Sequence, residues 1–229
     1  PYTTLFRSDT LIASFLAAGS ISWLYYSDRL MEFPLGVCGI AVATVMLPQL
    51  SEHHAKESPQ AFAASMDWAL RLVVMIAVPA SLGLVLLAEP LLTTLFFGGA
   101  FDDMDVTMAT ASLIAYAAGL LGFILVKVLS TGFFSRQDTR TPVRIGIIAV
   151  VINMTLNIIF VVVLVRINFY APHVGLALAT TLSSLFNAIF LYRALRRAGV
   201  YSPCSGWGRF AVQVGIASVV MAIAVIWIR

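Results

Sequence analysis

Apolar residues run along the chain in long blocks separated by short polar stretches. The blocks cover 21–50, 68–88, 106–131, 143–165, 174–192 and 210–228. At 1.5 Å per helical residue, a run of about 20 such residues crosses a hydrocarbon core of about 30 Å. A shorter apolar stretch at 10–18 reads as a partial helix. Nothing alternates apolar and polar residues over about ten positions, as a membrane β-strand does. The pattern predicts an all-α, polytopic membrane bundle of about six full transmembrane helices plus an N-terminal partial helix. The octapeptide Pro1-Tyr2-Thr3-Thr4-Leu5-Phe6-Arg7-Ser8 fits none of this. It matches one reading frame of a common sequencing adapter, so residues 1–8 are expected to be an artefact, and the rest a piece of a longer protein.

Composition narrows the class. Hydrophobic residues make up 60% of the 229 and charged residues 11%, against roughly 25% charged in soluble domains. The mean hydropathy is +0.95. A water-soluble fold of this size cannot cover so much apolar surface, which excludes a soluble enzyme or nucleic-acid binder. Charge then sets the orientation. Lys56, Arg71, Lys127, Arg136, Arg140, Arg144, Arg193, Arg196, Arg197 and Arg209 fall in or beside alternate connections. Glu89, Asp102, Asp103 and Asp105 occupy the opposite side, with only Arg166 and Arg229 as cations. The basic stretches 51–67, 131–144 and 193–209 are therefore predicted to face the cytoplasm, and 89–105 the other side.

The chemistry lies in polar residues inside apolar blocks. Asp28, Arg29 and Glu32 sit within five residues of one another in the first full block. A charge at membrane depth costs several kcal/mol unless it faces a cavity or a partner. Two readings follow. Arg29 and Glu32 share a helix face and form a self-satisfied knot with Asp28, or Arg29 lines a wet cavity and grips an anion with its planar fork. Pro34 removes a bond to the Leu30 carbonyl and predicts a kink beside Arg29, with Gly36 and Gly39 loosening the next turn. Pro79 and Gly83 predict a similar interruption of 68–88, and broken helices often line transporter sites. Lys127 is a secondary cavity candidate that can also snorkel to the cytoplasmic interface.

Asn153 and Asn157 are four apart on one face, with Thr155 on another; Thr180, Thr181, Ser183, Ser184 and Asn187 decorate the next helix. Interhelical hydrogen bonding is one reading. An oxygen-lined site for a monovalent cation such as sodium is the other, with Asp9 supplying the carboxylate. A protonated Asp9 donating to an amide would use the same geometry without an ion. Ala111, Ala115 and Gly119 form a small-residue stripe for close packing. His53-His54 reads as a solvated turn rather than a metal site. Cys38 reads as a packing residue and Cys204 as a reduced thiol.

Several strings then become familiar. Tyr26-Ser27-Asp28-Arg29-Leu30-Met31-Glu32-Phe33-Pro34-Leu35-Gly36-Val37, followed by Leu47-Pro48-Gln49-Leu50-Ser51, resembles the eighth helix of the MurJ (MviN) family of lipid II flippases. Gly132-Phe133-Phe134-Ser135-Arg136-Gln137-Asp138-Thr139-Arg140-Thr141-Pro142-Val143 resembles the family's loop between helices ten and eleven. Asp9-Thr10-Leu11-Ile12-Ala13-Ser14-Phe15-Leu16 resembles the end of its helix seven. The resemblance implies a second six-helix lobe over 9–200, its first helix truncated, and the family's helix thirteen over 201–229.

The resemblance also implies a function: transfer of the undecaprenyl-pyrophosphate-linked peptidoglycan precursor across the bacterial inner membrane by alternating access, with an N-terminal lobe of the same protein as the other wall. Arg29 matches the arginine that engages pyrophosphate, and Asp28 its acidic neighbour. Asp9, Asn153, Asn157 and Thr181 fall where some members hold sodium. No cofactor is implied beyond that ion, and no Walker motif is present. Two rivals remain. One is another exporter of the superfamily, a polysaccharide-unit flippase or cation-coupled drug antiporter. The other is an intramembrane polyprenyl-phosphate enzyme, for which no converging acid, base or metal set is visible in the sequence.

Overall fold

A computed structural model of the chain describes residues 10–228, so Asp9 and the octapeptide lie outside the described residues. Ser20–Pro34 (α1), a π-helix over Leu35–Ile40, and Ala41–Ala55 (α2) run on without a loop as one span, Ser20–Ala55, of 36 residues. At 1.5 Å per residue it is about 54 Å long and outruns the bilayer core. Pro34 does not break it. The proline has no N–H to give, the Leu35 N–H is shared between the Glu32 and Met31 carbonyls, and the next six residues widen into i→i+5 bonding. Gly36 faces open space, whereas a side chain at Gly39 would touch Lys127 and Ile124. His53 and His54 lie on the last turn of α2, not in a loop.

The second span, Pro59–Leu86 (α3), starts well before position 68 and passes through Pro79 without a break. The interruption comes at Leu87, where a short helix, Ala88–Phe96 (α4), occupies ground expected to be loop. Asp103–Ala117 (α5) begins with a reciprocal capping box between Asp102 and Asp105. The acidic cluster is thereby explained locally: carboxylates satisfy orphan N–H groups at the positive end of a helix. Leu120–Phe134 (α6) continues from α5 after a bend of 42°. A Cβ on Gly119, at that bend, would lie 2.6 Å from the Thr181 hydroxyl, so the small stripe ending there does serve close packing.

Arg140–Arg166 (α7), Val174–Arg197 (α8) and Trp207–Ile228 (α9) complete the order. Five helices are long and apolar enough to cross a membrane, six if the bent α5–α6 pair counts as one span. The core centres on α6, where Leu120, Ile124, Val128 and Leu129 are almost wholly enclosed. Around it, α1 packs on α5, α3 and α8 on α6, α7 on α8, and α9 on α3. The outer faces of α7 (Ile147, Val151, Ile158, Val162) and α9 (Val212, Ile216, Val219, Ile223) are exposed and aliphatic, as lipid-facing surfaces are.

Candidate functional site: an open charged face and two closed polar networks

Helix α1 has a pinned back and an open front. Trp23, Leu24, Ser27 and Met31 are buried. Ser27 Oγ bonds the Trp23 carbonyl and, at 2.7 Å, the Ala109 carbonyl of α5. Trp23 Nε1 donates to Asp105 Oδ1 and its ring tilts against His173 at 4.8 Å. The front carries Tyr25, Arg29, Glu32, Phe33 and Val37, all exposed. Arg29 Nη1 donates to Glu32 Oε2 at 3.0 Å, and the guanidinium lies 4.9 Å from the Tyr25 ring centroid. The two side chains are 56% and 50% exposed. This bond to Glu32 is monodentate, so it does not consume the guanidinium fork. Asp28 is half-buried between the two faces. Lys127 is half-buried on α6 with its stem beside Gly39 of the π-helix. The structure thus brings Arg29 and Glu32 together and sets Lys127 against the widened turn below them.

The amides form a chain. Asn157 Nδ2 donates to Asn153 Oδ1 at 3.1 Å, and Asn153 Nδ2 donates to Thr180 Oγ1 at 3.2 Å. Both asparagines are fully buried. Thr180 takes the place expected of Thr181. Thr181 turns instead toward α5 and donates to the Ala115 carbonyl at 2.7 Å. One residue along a helix rotates a side chain by about 100°, enough to change its neighbour. The described members of this set offer neutral oxygens that suit a hard monovalent cation. The carboxylate to balance such an ion, Asp9, lies outside the described residues.

A third network joins α3 to the 198–206 linker and α9. Asp67, buried on α3, accepts from Arg71 Nε (2.8 Å), Tyr201 Oη (2.7 Å), Trp207 Nε1 (2.7 Å) and the Cys204 N–H (3.2 Å). Arg71 also donates to the Ser205 carbonyl at 2.9 Å and stacks over Trp207 and Phe210. Burial, together with the carboxylate it donates to, raises the Tyr201 phenol well above its usual range. The signal was available as Asp67 and Arg71 at i, i+4, but a span counted from position 68 leaves Asp67 outside. In the α6–α7 turn, Asp138 accepts the Thr141 hydroxyl and N–H, and these bonds hold its carboxyl below the usual range. Among the described residues no three His, Cys, Asp or Glu converge as a metal site.

The family model described as Lipid II flippase MurJ matches residues 6–229. A protein named Probable lipid II flippase MurJ from Vibrio cholerae serotype O1 is 50% identical over 219 residues, covering 96% of this chain and 40% of that protein. Lipid II flippase MurJ from Burkholderia cenocepacia is 40% identical over 219 residues, covering 96% and 41%. A solved structure titled Lipid II flippase MurJ, inward closed conformation, superposes with a TM-score of 0.79 at 26% identity, covering 95% of this chain and 43% of that one. An inward-facing multidrug resistance MATE family transporter of the MOP superfamily shares the fold, with a TM-score of 0.62 at 18% identity over 97% of this chain and 51% of that one. The chain therefore spans about two-fifths of the length of the curated relatives it matches.

Proposed function

The chain belongs to the MurJ family of lipid II flippases, and from that premise we propose that it forms one wall of a flippase that moves a pyrophosphate-linked lipid precursor from the cytoplasmic to the periplasmic leaflet of the bacterial inner membrane. A flippase is a transporter, and no residue is assigned a catalytic role. The observation that carries the reading is Arg29: a half-exposed guanidinium on the open face of a membrane-spanning helix, whose back is fixed by buried hydrogen bonds.

Such a site does what the transfer requires. A pyrophosphate headgroup needs cationic hosts away from bulk water, while the prenyl tail stays in lipid. Arg29 exchanges its single bond to Glu32 for a two-pronged grip on phosphate, a stronger pairing. Glu32 keeps the guanidinium in place between cycles, and Asp28 lowers the net charge of the empty face. The π-helix at Leu35–Ile40, with Pro34 above it and Gly36 on its open side, supplies a helix whose bonding is easily rearranged beside the site. Lys127 gives a second cation below. The opposite wall belongs to the N-terminal lobe of the full-length protein. Sodium, where used, would be held by Asn153, Asn157 and Asp9, with Thr180 rather than Thr181 as the hydroxyl. The membrane potential, worth about 2.3 kcal/mol per charge per 100 mV, or an ion gradient would drive the cycle.

The test is complementation of a flippase-depleted cell by the full-length protein. Arg29→Ala abolishes growth at normal membrane abundance, and Arg29→Lys restores it poorly. Full growth with Arg29→Ala at normal abundance returns Arg29 to a self-satisfied knot.

A further inference from the structure

We propose that Tyr25 is a positioning residue for the phosphate-binding arginine: its ring is a fixed shelf that presents the edge of the Arg29 guanidinium to an incoming pyrophosphate. The inference rests on the reading of Arg29 as the phosphate host, and adds to it a residue that need not touch the phosphate. Tyr25 and Arg29 are four apart in α1, so their side chains share the open face. Long side chains in a helix lean back toward its N-terminus, which carries the guanidinium toward Tyr25. The central carbon of the guanidinium lies 4.9 Å from the ring centroid, within cation–π range.

The shelf is itself held. The Tyr25 ring meets Tyr26 edge-on, with centroids 5.8 Å apart and planes at 76°. Tyr26 packs in turn against Phe96, the last residue of α4, at 4.8 Å and against Phe101 at 5.0 Å. Phe101 is seated by a tight turn in which it exchanges both backbone hydrogen bonds with Gly98 at 3.1 Å. Gly98 and Gly99 both have positive φ there, a conformation that residues with side chains resist. Tyr26, Phe96 and Phe101 are all partly buried against the core. Tyr25 thus stands at the exposed end of an aromatic cluster anchored in α4 and the 97–102 connection. A tyrosine that serves only as a membrane-interface anchor needs neither the arginine above it nor the cluster behind it.

Arg71 shows in the same molecule what this arrangement does. Its guanidinium lies against the Trp207 and Phe210 rings at 5.3 and 5.8 Å, and it donates to two oxygen acceptors, Asp67 Oδ2 through Nε and the Ser205 carbonyl through Nη2. Arg29 has a ring against it in the same way but a single acceptor among the described residues, Glu32 Oε2. Its side chain is half-exposed on the open front. With the ring covering one side of the guanidinium, an oxyanion meets it along the edge, where N–H groups lie in the plane and grip phosphate in pairs. An arginine oriented in advance also loses less rotamer freedom on binding, so the ring raises affinity without a contact of its own.

The experiment uses the full-length protein in detergent and measures the affinity of undecaprenyl pyrophosphate by native mass spectrometry, beside the melting temperature without ligand. Arg29→Ala weakens binding about tenfold or more, as the loss of a charged hydrogen-bond donor does. Tyr25→Leu weakens it about fivefold, the size of one cation–π contact at an exposed site, and leaves the ligand-free melting temperature unchanged. Tyr25→Phe keeps the ring and keeps the affinity. In the Arg29→Ala background, adding Tyr25→Leu weakens binding no further, because the ring acts only through the guanidinium. A fivefold loss that persists in that background makes Tyr25 a direct contact or an interface anchor and overturns the inference. Full affinity in Tyr25→Leu, or an equal loss in Tyr25→Phe, overturns it too. Full affinity in Arg29→Ala overturns the phosphate-host reading itself, and the shelf falls with it.

Discussion

Two arginine–carboxylate pairs one turn apart in sequence do opposite things. Arg29–Glu32 is a lone pair on an open face, each side chain about half exposed. Arg71–Asp67 has a carboxylate 5% exposed, and two aromatic donors and a backbone N–H complete its shell. The first has spare bonding capacity and little to lose; the second has none to spare and fastens α9 and the 198–206 linker to α3. Spacing and residue type do not tell a binding arginine from a structural one. The number of donors already spent does.

The largest contrast comes from truncating one member of each pair. Arg29→Ala leaves the unfolding temperature of the protein nearly unchanged while removing transport. Asp67→Ala strands Arg71, Tyr201 and Trp207 and costs about 3–5 kcal/mol, read as a large loss of thermal stability. Equal loss of stability in the two variants would mean that Arg29–Glu32 is as structural a pair as Arg71–Asp67. A smaller effect tests the pinned back of α1. His173 is enclosed against Trp23, and burial holds its pKa below the ordinary value, so the folded state resists the proton that the unfolded state accepts near 6.5. Stability therefore falls as pH drops below about 6.5, by at most about 1.4 kcal/mol per unit. His173→Gln should flatten that slope in pH-dependent melting. The smallest expected effect is that of Glu32→Gln on stability, under about 0.5 kcal/mol, because an exposed pair contributes little. A loss above 1 kcal/mol would mean the open face is structurally closed.

The spans were readable because a membrane helix needs a long apolar run and little else. Arg29 was readable because charge in such a run is costly enough to demand a reason. Asp67 was not, since its partners come from a linker more than a hundred residues away, and Tyr201 and Trp207 look like ordinary interface aromatics. Helix α4 was hidden because nine residues are too few to stand out beside an acidic stretch that reads as loop. Thr180 and Thr181 could be told apart only by the face each presents, and the bend at Gly119 sets which neighbour is available. Pro79 signalled a break that continuous packing overrides.

The π-helix has a consequence for insertions and deletions. Counted as an ideal α-helix, Trp23, Ser27 and Met31 share one buried stripe and Val42, Met46 and Leu50 share another, and the two are out of phase by about 100°. That offset is one residue's worth of rotation. The wide turn at Leu35–Ile40 absorbs it, so both stripes reach the core although the numbering between them has slipped. Removing a single residue from that turn would bring the two stripes into one α-helical frame, with both still facing the core. This span should therefore accept a one-residue deletion at 35–40 and reject one almost anywhere else along its length.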